Sequence, residues 1–97
     1  MIKLDLGNVL LKPSQRKQLM ACLRRTMRLG DRLGNFVLTL RLNRVGRHLD
    51  VRADVHDSAG DFAVHMRDSN FRTAVRKLVR TLSTRIHDQL RLARVAT

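Results

Sequence analysis

Residues 36–67 read FVLTLRLNRVGRHLDVRADVHDSAGDFAVHMR, and their alternation decides the fold. Phe36, Leu38, Leu40 and Leu42 alternate with Val37, Thr39 and Arg41. Leu49, Val51, Ala53 and Val55 alternate with Asp50, Arg52, Asp54 and His56, and Phe62, Val64 and Met66 with Ala63, His65 and Arg67. A period of two is that of a strand with one buried face. Arg44-Val45-Gly46-Arg47 and Asp57-Ser58-Ala59-Gly60 carry the turn residues that hairpin connections need. Closing the hairpins there pairs Leu42 with Leu49, Leu40 with Val51, Val55 with Phe62 and Val51 with Met66. Every inward residue then meets another, whereas a slip of one residue would turn a whole strand inside out. On the outer face the same register sets Asp50 between Arg41 and Arg67, and Arg52 between Thr39 and His65.

Outward from this meander the period changes to that of helices. Ile2, Leu4 and Leu6 alternate with Lys3 and Asp5, a short strand ending at Gly7-Asn8. Pro13 suits the first turn of a helix, and Leu19, Met20, Leu23 and Met27 follow helical spacing up to a stop near Gly30, with Gly34-Asn35 a second break. Phe71, Val75, Leu78, Leu82 and Ile86 form the stripe of a last helix from about Asn70 to Leu92, edged by Ala74 and Val79. The order is β-α-β-β-β-α. Each strand is apolar on one face only, so both helices must cover the same face, giving an α+β two-layer sandwich with a four-stranded sheet. The 97 residues are read as one domain, 1–97, with residues 93–97 a short frayed tail.

The charge is distributed more tellingly than its total of +12. Lys12, Arg16, Lys17, Arg24, Arg25, Arg28 and Arg32 face one acid, Asp31; Arg72, Arg76, Lys77, Arg80, Arg85, Arg91 and Arg94 face one acid, Asp88. Each helical segment therefore carries +6, and the remaining six bases and six acids cancel. Arg72, Arg76 and Arg80 make an i, i+4, i+8 row with Lys77 beside it, and Lys17, Arg24 and Arg28 project together from the first helix with Arg25 nearby. Like charges at i, i+4 cost roughly 0.2–0.5 kcal/mol per pair. A fold that tolerates this twice on one layer points to a polyanionic partner. The alternative is a solvated basic face in an arginine-rich proteome, but solubility alone would not empty the sheet side of excess charge. Sixteen Arg against four Lys suit bidentate phosphate contacts.

The three aromatics, Phe36, Phe62 and Phe71, all fall on core positions, so no ring is left to stack splayed bases. Recognition is expected through phosphate and ribose of structured RNA, since neither a helix-turn-helix nor a zinc-finger spacing occurs. Asn8-Val9 before a helix begun at Pro13, with Arg16 in its first turn and Arg25 later, forms one local pattern. Asp54-Val55-His56 followed by Gly60, then Phe71, Ala74-Val75 and Leu78, forms another. With the element order they resemble the ribosome hibernation promoting factors, also called ribosome-associated inhibitors, ribosomal subunit interface proteins or sigma-54 modulation proteins. The resemblance covers nearly the whole chain and is to the short class. It departs at Arg76, where the family has an acid, at Thr81 and Arg85, where it has Lys and Gln, and at Lys12, where it has a capping Thr.

What the resemblance implies is a stress-response factor that occupies the mRNA and tRNA channel of the small ribosomal subunit, touches its ribosomal RNA and blocks translation. Arg16 and Arg25 carry over by position as RNA-binding residues. Lys17, Arg24, Arg28, Arg72, Arg76, Lys77 and Arg80 join them from the charge pattern. Two other readings stay open: a structured-RNA-binding module without ribosome specificity, and a protein-interaction module that docks an acidic transcription regulator.

Other chemistry finds no carrier. His48, His56, His65 and His87 lack metal-ligand spacing, and one Cys (Cys22) makes neither a disulfide nor a multi-cysteine metal framework. Cys22 reads as a core-edge thiol, and Asp50, Asp54 and Asp57 read as ion-pair and turn residues. Isolated glycines exclude a phosphate-cradling loop. The expectations are therefore no enzyme activity, no cofactor, no metal and no small-molecule substrate. No apolar run spans a membrane and the N-terminus lacks a signal-peptide pattern, so a cytoplasmic location is expected.

Overall fold

The computed structural model describes residues 1–95. Its elements run β1 (Ile2–Asp5), α1 (Pro13–Gly30), a short 3-10 helix (Asp31–Leu33), β2 (Val37–Val45), β3 (His48–Asp57), β4 (Gly60–Asp68) and α2 (Phe71–Val95). The sheet order is β1-β2-β3-β4, with β1 parallel to β2 and the other pairs antiparallel. A parallel neighbour requires a crossover, and α1 provides it. α2 packs on β4 and β3, and α1 lies beside α2 on the same face. This is the expected two-layer α+β sandwich with a four-stranded mixed sheet. α2 continues through the first three residues of the expected tail, and residues 96–97 lie outside the described part.

One hydrophobic cluster joins the layers. From the sheet it takes Leu38, Leu40, Leu42, Leu49, Val51, Ala53, Val55 and Val64; from the helices it takes Leu19, Leu23, Ala74, Val75, Leu78, Leu82 and Ile86. Met20 and Met27 flank it half-buried, as do Phe62 and Phe71; of the aromatics only Phe36 is fully buried.

The register confirms one hairpin and corrects the other. Val55 faces Phe62 and Val51 faces Met66. In the first hairpin, however, Leu42 faces Val51 and Leu40 faces Ala53, two residues away from the expected pairing. The turn explains the shift. Val45 and His48 pair, leaving Gly46 and Arg47 as the central residues, with φ +61 at Gly46 and no positive φ at Arg47. That is the sign pattern of a II′ turn, whose first central position calls for glycine. The expected turn would have put β-branched Val45 there. A shift of two preserves which face each residue occupies but changes the outer-face partners. Arg41 faces Arg52 rather than Asp50, and Asp50 faces Asn43 and Arg67.

Side chains complete the short β1 edge. Beyond Asp5 the Asn8 carboxamide continues the ladder: its Nδ2 donates to the Arg44 carbonyl at 3.0 Å, and its Oδ1 accepts from the Arg44 N–H at 2.6 Å. The N-terminal amine donates to the Phe36 carbonyl at 2.9 Å. Gly30, the last residue of α1, is not a left-handed cap, since its φ is −66. It is buried, and a Cβ there would lie 2.6 Å from the Phe36 ring.

Gly30→Ala should therefore destabilise the fold by about 1–3 kcal/mol through overpacking. At Gly46 nothing lies within 4 Å, and only the positive φ penalises a side chain. Gly46→Ala should cost less, about 1 kcal/mol. Urea midpoints at unchanged m-value measure both.

Candidate nucleic-acid interface

Helical geometry sorts the bases of α1 before any partner is considered. At about 3.6 residues per turn, Lys17, Ala21, Arg24 and Arg28 share one row, and Gln18, Cys22, Arg25 and Leu29 share another. The first two residues of the second row border α2. Gln18 and Cys22 line a groove of about 360 Å³ with Arg72, Val75, Arg76 and Val79 of α2. The first row lies on the flank turned away from α2, where Arg16, Lys17 and Arg24 line a wider surface hollow together with Pro13, Met20 and the edge residues Ser14 and Ala21. The candidate residues thus occupy two strips on either side of α1. Arg80 continues the α2 row by one turn.

All nine candidates, Arg16, Lys17, Arg24, Arg25, Arg28, Arg72, Arg76, Lys77 and Arg80, are exposed. Eight of them form no salt bridge among the described residues. Lys77 is the exception, because its Nζ donates to Asp68 of β4 at 2.9 Å. The charge pattern along α2 could not reveal this partner, which lies on the preceding strand and points to the helical side.

The outer-face acids Asp50, Asp54 and Asp61 are occupied by bases of the sheet. Arg67 donates to both Asp50 oxygens, at 2.6 and 3.2 Å. Arg52 reaches Asp54 on the same strand at 3.2 Å, and His56 pairs with Asp61 across the β3–β4 ladder. Asp57 serves its turn, its Oδ1 accepting the Ala59 N–H at 2.8 Å. On α2, Arg91 pairs with Asp88, and the Arg85 guanidinium sits 4.8 Å from the centroid of the Phe62 ring. Half-buried Phe62 is thereby covered by a cation.

The start of α1 adds to the positive field. The Lys12 N–H is capped by the Gln15 carboxamide oxygen at 2.9 Å, but no acid occupies the first turn. The positive end of the helix dipole therefore stands beside Arg16 and Lys17 with nothing anionic to offset it. At the other end, Arg32, His87 and Arg91 meet around a hollow of about 440 Å³. Distance in sequence kept this cluster, like Gln18 and Cys22, out of the expected site. Among the described residues no three His, Cys, Asp or Glu side chains are grouped to hold a metal ion, and no helix is long and apolar enough to cross a membrane. No family model matches this chain, and no curated protein matches it at a significant level.

Two carboxyls give this electrostatic arrangement a pH signature. Hydrogen bonds from Arg67 hold Asp50 below the ordinary aspartate range, and the hydrogen bond from Lys77, then that from the Asn70 backbone, does the same for Asp68. A carboxyl whose pKa is lower folded than unfolded contributes stability above its unfolded value and loses it as pH falls through the folded value. Asp50→Asn and Asp68→Asn should each lower stability at pH 7 and flatten its decline below about pH 4. Urea titrations between neutral and strongly acidic pH check this.

Proposed function

We propose that this protein is a non-enzymatic ribosome-associated factor of the hibernation type, binding small-subunit ribosomal RNA through its helical layer and silencing translation in the cytoplasm. The observation that carries the reading is the division of charge between layers. Eight of the nine candidate bases on α1 and α2 are exposed with no carboxylate partner among the described residues, while the sheet's outer-face acids Asp50 and Asp54 are taken up by sheet bases. A folded domain gains nothing internally from such crowding, and a phosphate backbone relieves it on binding. The guanidinium majority suits phosphate better than a carboxylate-poor protein surface. The resemblance seen in residues 8–25 and 54–78 supplies the choice of the ribosome among polyanions.

Arg24, Arg72, Arg76 and Arg80 together changed to Glu should abolish cosedimentation with small subunits while leaving the circular dichroism spectrum intact; unchanged cosedimentation would overturn the reading. With roughly four to six phosphates neutralised, the slope of log affinity against log salt should be about −3 to −5. Tighter binding to intact small subunits than to arbitrary duplex RNA separates this function from general RNA binding. A nuclease-resistant protein complex would favour docking of an acidic regulator instead.

A further inference from the structure

The two basic strips leave a ridge between them. Ser14, Gln18, Ala21 and Arg25 follow one another along the crest of α1, and all four are exposed. From Ser14 to Arg25 this crest runs about 16 Å, three helical turns. Its first three positions are neutral and slender, in contrast to the arginines on both sides. Among the described residues the side-chain hydrogen bonds of α1 are made by Gln15 and Thr26, so Ser14 and Gln18 have no internal partner. Both can donate and accept.

We propose that α1 is a reader of A-form RNA duplex, its crest laid in the minor groove with the two basic strips against the phosphates on either wall. This deepens the ribosomal RNA reading and rests on it. The wide, shallow minor groove of A-form RNA admits a convex helix and displays 2′-hydroxyls along its floor. Ser14 and Gln18 are placed to exchange hydrogen bonds with those hydroxyls. Lys17, Arg24 and Arg28 meet one strand's phosphates. Arg72 and Arg76, across the groove lined by Gln18 and Cys22, meet the other strand's. One strip lies on the far flank of α1 and the other on α2, so at least the width of α1, about 10 Å, separates them, which suits the two walls of one groove rather than a single strand. B-form DNA offers no 2′-hydroxyl and a narrow minor groove, so it fits the crest poorly.

The test measures affinity and salt slope for a duplex RNA of about 16 base pairs, a DNA duplex of the same sequence, and one RNA strand alone. The wild-type chain should prefer the RNA duplex by about tenfold or more, two hydroxyl contacts being enough for that. S14A/Q18A should shrink the preference over DNA and leave the salt slope unchanged. K17E/R24E and R72E/R76E should each make the slope shallower by about 2, one unit per lost phosphate contact. Circular dichroism confirms that each variant is folded. Equal or tighter binding to the DNA duplex or the single strand would overturn the proposal, as would either strip proving silent. Cosedimentation with small subunits is read separately, so a wild-type chain that prefers duplex RNA yet ignores ribosomes would sink the ribosomal reading and leave this one standing.

Discussion

One apolar sheet face, covered once, governs the rest of this molecule. Leu38, Leu40, Leu42, Leu49, Val51 and Val55 all point to the same side, and α1 and α2 bring Leu19, Leu23, Leu78, Leu82 and Ile86 to meet them. The hydrophobic effect thereby confines both helices to one layer. Because each helix carries its polar residues opposite its apolar stripe, their bases are forced to the same outer surface. The segregation of charge follows from packing.

The opposite face of the sheet is a different electrostatic environment. Its alternating acids and bases find one another at short range, as Asp50 and Arg67 do across neighbouring strands. Such exposed pairs add little stability each. Their larger effect is to leave that face without a net field, so that the field of the whole chain is the field of its helices. Lys77 shows the boundary between the two regimes. Asp68 sits at the last position of β4, where the strand gives way to α2, and it withdraws one helical cation from the surface.

Small backbone demands set the details. Gly46 decides the register of the first hairpin because a tight turn between twisted strands requires a positive φ that Val45 resists. Gly30 lets the Phe36 ring close against the end of α1. Asn8 replaces a missing strand residue with a side-chain amide and so covers two backbone groups of Arg44. Of these, only the identity of the residues is visible in a sequence, since what they touch depends on chain segments up to 36 residues away.

Periodicity by itself determined the element order, the face of each strand, the stripes of both helices and the two-layer architecture, because side-chain direction repeats every two residues in a strand and about every 3.6 in a helix. It also located the whole charge excess on the helical segments. Tertiary structure alone decided the pairing in the first hairpin, which alternation cannot distinguish from one displaced by two residues, and with it the partner of Arg41 on β3 and that of Asp50 on β2. It alone brought Asp68 to Lys77, turned Arg72 and Arg76 toward Gln18 and Cys22, and set Arg16, Lys17, Arg24 and Arg28 on the far flank of α1. Those contacts depend on where two helices come to rest on a sheet, a relation between distant segments that no local repeat encodes.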